Sequence, residues 1–220
     1  MNKMYEPDAA KPESAGSTAD VSVRDAEMGS REAGVSVRDA VLEDAPRILE
    51  IYGHYIKKTV VTYEYDIPTL EEFTGRMKDT MQKYPYLVIL QDGQIKGYAY
   101  ARAYIGRAAC DWSCETTVYL DPEATGHGLG SRIYQELENA LREMGILNMY
   151  AAVAWPQQED EYLNENSALF HEAYGFRKIG HFRNCGYKFG RWYDLLWLEK
   201  IIGEHCAEQA PVISYPELKR

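Results

Sequence analysis

The sequence predicts an α/β fold: a mixed sheet with hairpins toward both ends and one strand–loop–helix–strand crossover between them. Three observations carry this. Short apolar runs of strand length alternate with segments of helical period. The dipeptide Asp92-Gly93 separates two of those runs, as a tight hairpin turn does. A glycine-rich stretch from Gly126 to Gly130 lies between a strand run and a helical one, where a crossover would place it.

The elements follow in order. Residues 1–33 are rich in Ala, Ser, Gly, Glu and Asp without any apolar period, and read as a flexible tail. Within this region Val21-Ser22-Val23-Arg24-Asp25-Ala26 recurs verbatim as Val35-Ser36-Val37-Arg38-Asp39-Ala40. Two copies do not build a solenoid. Only the second runs into a helical face (Ala45, Ile48, Leu49, Tyr52, Ile56), so it is the expected first strand. The first copy reads as a duplication relic or as a strand competing for the same edge. Asp44 is the expected cap of the first helix, with Pro46 in its first turn. A second helix is expected over 69–83, then strands over 86–90, 95–104 and 112–120. Ile133, Leu137, Ala140, Leu141 and Met144 line the crossover helix, which Gly145 ends. A strand over 147–154 precedes a helix over 166–174, closed by Gly175-Phe176. Two strands over 177–186 and 192–200 complete a domain of residues 34–202, and 203–220 reads as a frayed tail.

Composition excludes several functions. The 24 Lys and Arg against 34 Asp and Glu leave a net charge of −10, which argues against a nucleic-acid surface, since phosphate neutralisation needs clustered cations. No apolar run approaches the roughly 20 residues of a membrane span. The opening residues carry no hydrophobic signal segment, so a cytoplasmic protein is expected. Cys110, Cys114, Cys185 and Cys206 form no CxxC pair and have no histidine in ligand register; free thiols and no metal are expected. The 18 tyrosines against 5 phenylalanines point weakly to a partly polar cleft or an interface.

The most informative stretch is Val118-Tyr119-Leu120-Asp121-Pro122-Glu123-Ala124-Thr125-Gly126-His127-Gly128-Leu129-Gly130-Ser131. Alternating glycines between a strand and a helix let backbone N–H groups crowd an anion at a helix N-terminus. A phosphate or pyrophosphate is the natural guest. No Lys-Ser or Lys-Thr follows, so this is not a P-loop; Ser131 stands where a dinucleotide fingerprint needs glycine, and no acidic residue follows the next strand. A glycine turn of purely structural purpose is about as common.

Taken together, these segments resemble the GNAT superfamily of acetyl-CoA-dependent N-acetyltransferases, in its phosphinothricin acetyltransferase-like branch. The resemblance covers about residues 35 to 200. It rests on Val37-Arg38-Asp39-Ala40, Tyr98-Ala99-Tyr100-Ala101, Glu115-Thr116-Thr117-Val118-Tyr119, the glycine loop, Asn164-x-x-Ser167 with His171-Glu172-Ala173-Tyr174-Gly175-Phe176, and Gly186-Tyr187-Lys188-Phe189-Gly190-Arg191-Trp192, in that order. It implies a mixed, mostly antiparallel central sheet flanked by helices, whose central strands splay to form the acetyl-CoA cleft. It also implies acetyl-CoA as co-substrate, no metal, a small-molecule, amino-acid-like amine acceptor of the phosphinothricin or methionine sulfoximine type, whose carboxylate makes it partly anionic, and a homodimer through the Tyr-rich C-terminal strands. The backbone of Val118, Tyr119 and Leu120 would pair with the pantetheine arm. The amides of Gly126, His127, Gly128, Leu129, Gly130 and Ser131 would hold the pyrophosphate, and Asn164 and Ser167 would contact the cofactor. Glu115 matches the family's base and His171 the position facing the sulfur. Arg107 and Lys188 match positions near the acceptor pocket.

Acetyl transfer to an amine needs a neutral nucleophile, a polarised thioester carbonyl and a proton for the leaving thiolate. A glutamate's ordinary pKa of about 4.3 is too low to take a proton directly from an ammonium, so burial or a relaying water is expected to help. Without the resemblance, Glu115 would read as a solvated strand glutamate and His171 as a satisfied helix histidine. The sequence departs from the family in several places. Thr125 stands where Arg or Gln usually opens the loop, and 155–163 is a longer, more acidic lead-in than usual. Asp111 stands where close relatives often carry a cation, which casts doubt on an anionic acceptor. Arg191 reads equally as structural, packed on an aromatic face. Cys110 and Cys114 read as core fillers on one strand face. Two other readings remain open: a GNAT-fold module that binds acyl-CoA without turnover, and an acetyltransferase for a polyamine or a protein N-terminus. The acidic run 159–161 would suit the polycation.

Overall fold

The structure is a computed structural model and describes residues 34–219. The first copy of the repeat lies outside these residues. The second forms β1 (Val35–Asp39), as its alternating pattern predicts. The 3-10 turn Leu42–Asp44 leads into α1 (Ala45–Lys58), and α2 (Leu70–Met81) follows. Thr69 and Glu72 cap α2 reciprocally: the Glu72 amide donates to Thr69 Oγ1 at 3.2 Å and the Thr69 amide to Glu72 Oε2 at 2.8 Å. β2 (Tyr86–Gln91) turns through Asp92 and Gly93, both at positive φ, into β3 (Gln94–Ala103). β4 (Ser113–Leu120), α3 (Leu129–Met144) and β5 (Asn148–Trp155) form the crossover. Then come α4 (Asn166–Ala173), β6 (Arg177–Lys188), β7 (Arg191–Ile201) and the short α5 (Tyr215–Leu218).

The seven strands lie in the order β1-β2-β3-β4-β5-β7-β6, antiparallel except at the β4–β5 junction. That parallel ladder is brief. It joins Ser113 to Asn148, Cys114 to Met149 and Glu115 to Tyr150, and stops. Beyond it β4 stays paired to β3 as far as Leu120, and β5 stays paired to β7 as far as Trp155. The two halves of the sheet therefore part, and a cleft opens between strands that each keep one satisfied edge. Ile133, Tyr134, Leu137 and Leu141 of α3 pack against one sheet face, with Ile89, Ala99, Met149 and Leu198. Ile48, Ile51, Phe73 and Met77 of α1 and α2 cover the other, with Val88 and Tyr98. No helix among the described residues is long and apolar enough to cross a membrane.

Three local expectations differ from the structure. Asp44 stands at the N-cap of α1, but its carboxylate turns back to the Arg38 guanidinium and the Val41 amide, because an ionic fork outcompetes a single cap bond. Cys110 lies in the 3-10 turn Ala108–Cys110, before the strand that carries buried Cys114. Residues 203–219 are not frayed. Val212, Tyr215 and Leu218 pack on the core, Trp112 Nε1 donates to the Ala210 carbonyl at 2.7 Å, and the Ile213 amide donates to the Met144 carbonyl at 2.9 Å. The apolar residues are too sparse for a periodic signal, yet each meets a waiting partner.

Candidate active site

The cleft between β4 and β5 holds two cavities that share a wall. The larger, about 790 Å³, runs from Val118, Tyr119 and Leu120 past Thr125, Gly126 and Gly130 to Asn164, Asn166 and Ser167. Its floor is the start of α3. Gly128 is the N-cap at φ 78°, a left-handed conformation that a glycine adopts without penalty. It offers no capping side chain and no acidic residue follows in the first turn, so the first amides and the helix dipole are left to an anion. A Cβ at Gly126 or Gly128 would meet nothing within 4 Å, whereas one at Gly130 would come within 3.3 Å of Phe170. This is an open cradle of amides beneath a strand edge that has lost its partner, and it fits a pyrophosphate joined to an extended arm.

The smaller cavity, about 390 Å³, lies across Val118 and Ser167 from the first and is lined by Glu115, Arg102, His171, Glu64 and several tyrosines. Glu115 is the last β4 residue paired to β5, so its buried side chain stands at the root of the split. Arg102, its cross-strand partner on β3, donates from Nη2 to Glu115 Oε1 at 2.7 Å. Arg102 is the only lysine or arginine lining this cavity among the described residues. The outer wall is the α1–α2 connection. Tyr63 lies flat on Gly186, where a Cβ would stand 2.5 Å from the ring, and its hydroxyl donates to the Asp194 carbonyl at 2.7 Å. Lys188 Nζ donates to the Thr62 carbonyl at 2.8 Å.

His171 is 5 % exposed and is framed edge-on by Tyr134 and Phe176. Its Nδ1 donates to the Ser167 carbonyl at 2.7 Å, and its Nε2 lies 3.2 Å from Tyr134 Oη. Burial pushes the imidazole pKa below its ordinary value, and the Ser167 carbonyl offsets part of that.

The structure brings most of the expected residues to one place. Glu115 and His171 line the smaller cavity; Val118, Tyr119, Leu120, Gly126, Gly130, Asn164 and Ser167 line the larger. Other loop residues act differently or stand apart. Leu129 is buried in the core under the loop, and the side chain of His127 is exposed. Arg107 and Lys188 line neither cavity. Arg107 is exposed beyond the end of β3, and Lys188 lies behind the Thr62 wall, where burial lowers its pKa to about 8. Sequence reasoning missed Arg102, Thr116, Tyr134 and the wall 61–64. Arg102 follows Tyr98-Ala99-Tyr100-Ala101, but only the β3–β4 register sets it opposite Glu115. The acidic run is neutralised from within: Arg191 holds Asp160 and Glu161 and lies 5.4 Å over the Tyr162 ring, while Glu159 accepts from the Glu165 amide.

A profile of the acetyltransferase (GNAT) domain matches residues 37–197. The chain is 37 % identical over 172 residues to a phosphinothricin N-acetyltransferase of Streptomyces coelicolor, covering 76 % of this chain and 96 % of that one. It is 28 % identical to an L-methionine sulfoximine/L-methionine sulfone acetyltransferase of Salmonella typhimurium, covering 80 % and 99 %. A phosphinothricin acetyltransferase of Sinorhizobium meliloti, solved with acetyl-CoA, superposes with a TM-score of 0.74 at 33 % identity, covering 84 % of this chain and 97 % of that one. The match takes in both strands that part at the cleft, the glycine turn beneath them and the histidine helix beside them, and this chain belongs to the GNAT family of acetyltransferases.

Proposed function

We propose that the protein transfers the acetyl group of acetyl-CoA to the α-amine of a small zwitterionic acceptor of the phosphinothricin or methionine sulfoximine type, with Glu115 as base. The observation that carries this reading is the Arg102–Glu115 pair at 2.7 Å in the smaller cavity. An α-amino acid presents an ammonium and a carboxylate a few ångströms apart. It can enter the pair with its ammonium on Glu115 and its carboxylate on Arg102, replacing one ion pair by two. Similarity to the Streptomyces and Salmonella enzymes supports the same acceptor class. A polyamine would meet the Arg102 cation, while the acids that would attract it are held by Arg191.

The bound thioester supplies an activated carbonyl carbon. Glu115 accepts the ammonium proton, directly or through water, leaving a lone pair on the acceptor nitrogen for that carbon. As the C–S bond breaks, the acceptor nitrogen sheds its second proton and the departing sulfur takes one up; His171, beside the junction of the cavities through its bond to Ser167, is the proposed relay between them. Arg102→Leu should raise KM for an amino-acid acceptor 10-fold or more with a smaller change in kcat, because a ground-state contact is lost. An unchanged KM would place the acceptor carboxylate elsewhere. A second copy of the chain is the proposed partner. β6 is an edge strand, and Phe182 and Tyr187 on it and Trp192 beside it are exposed. Light scattering should give twice the chain mass; a single chain mass would remove this assignment.

A further inference from the structure

Four short contacts join five groups in a line through the core. They run from the Ser167 carbonyl to His171 Nδ1 (2.7 Å), from His171 Nε2 to Tyr134 Oη (3.2 Å), from Tyr134 Oη to Thr116 Oγ1 (2.6 Å), and from Thr116 Oγ1 to the Tyr150 carbonyl (3.1 Å). Both ends are carbonyls, which only accept. His171, Tyr134 and Thr116 are all buried, and Tyr134 at the centre of the line is fully shut off from solvent. With a neutral imidazole the three side chains carry three protons for four contacts. One contact must then stand empty. If Tyr134 donates to Nε2 and Thr116 to Tyr134, the contact from Thr116 to the Tyr150 carbonyl is left without a proton. If both hydroxyls swing the other way, Nε2 faces an oxygen lone pair. A proton added at Nε2 fills all four contacts at once: Nε2 donates to Tyr134, Tyr134 to Thr116, and Thr116 to Tyr150.

We propose that Tyr134 and Thr116 are positioning residues for His171, a two-hydroxyl chain that lets a buried imidazole hold a proton by freeing an acceptor for its Nε2–H. The surroundings leave this role to the hydroxyls. Phe170 and Phe176 pack on the ring, and Glu115, Arg102 and Glu64 line the same cavity. Among the described residues no hydrogen bond or ion pair joins a charged side chain to the ring; its polar partners are Tyr134 and the Ser167 carbonyl. The bearing of the chain on turnover rests on the role of His171 given above, whereas the proton count does not.

The test is an NMR titration of the His171 ring in the intact protein, assigned by its loss in His171→Gln. Tyr134→Phe keeps the ring packing and removes the acceptor, and the His171 midpoint should fall by about one to two pH units, the worth of one hydrogen bond to a charged group. Thr116 makes no hydrogen bond to the imidazole, yet Thr116→Val should lower the midpoint too, because the Tyr134 proton then has only Nε2 to go to. Thr116→Ser should restore the wild-type value. An unchanged midpoint in Tyr134→Phe or Thr116→Val overturns the proposal, as does a wild-type ring that never titrates while the fold persists. Failure of Thr116→Ser to restore the midpoint assigns the effect to packing and overturns it as well. If Tyr134→Phe does not fold, the Thr116 pair decides alone. Full turnover in His171→Gln beside the expected shifts would uphold the chain and remove the catalytic reading of His171.

Discussion

Glu115→Gln should lower turnover by about 10²–10⁴, the usual worth of a general base, while acetyl-CoA binds as before. The substitution keeps the shape of the side chain and an oxygen for Arg102, so the β3–β4 pairing and the cavity walls stay in place. The larger cavity, the proposed cofactor site, is lined on β4 from Val118 onward and does not include Glu115, which is why acetyl-CoA affinity should be spared. Lost turnover should recover as the pH rises, since the acceptor amine then loses its proton to solvent and the base is no longer needed. Steady-state rates from pH 6 to 10, with calorimetric titration of acetyl-CoA, check both halves. Full activity at neutral pH would mean that the base lies elsewhere.

Gly128→Val should abolish cofactor binding while leaving the fold intact. The left-handed backbone at φ 78° disfavours a β-branched residue by about 1–2 kcal/mol, a cost the core of α3 can bear. A Cβ there meets no protein atom, so the new side chain enters the space above the first turn of α3, where the anion would sit. Loss of about two charge-assisted hydrogen bonds corresponds to 100-fold or more in acetyl-CoA affinity. Calorimetry reads the affinity, and circular dichroism checks that the helix remains. Unchanged affinity would separate the glycine turn from the cofactor.

The parts of this fold that were legible in the sequence are those set by neighbours along the chain. The alternation in 35–39, the Asp92-Gly93 turn and the stripe from Ile133 to Met144 with Gly145 behind it all carry their own periodicity or turn chemistry. The cradle was legible too, because a strand, alternating glycines and a helix are contiguous. What failed depends on register or on distant partners. Arg107 and Arg102 are five residues apart, and only the ladder shows that Arg102 faces Glu115. Lys188 is expected near the acceptor pocket, but the carbonyl that holds it belongs to Thr62, 126 residues away. Asp44 has the spacing of a cap and prefers Arg38. The His171 chain is built from α4, α3 and β4 and ends on a β5 carbonyl, and no local pattern announces it.

In the proposed reaction, the two cavities meeting at Val118 and Ser167 bring an acetyl thioester to a zwitterionic amine. Thiol release from acetyl-CoA by the purified protein tests it most directly, with phosphinothricin, methionine sulfoximine, spermidine and an alanyl peptide offered in turn. Rapid acceptor-dependent release is expected with the two amino-acid analogues, and rates near the acceptor-free background with spermidine. Release driven by spermidine or the peptide, with none from either analogue, would contradict it.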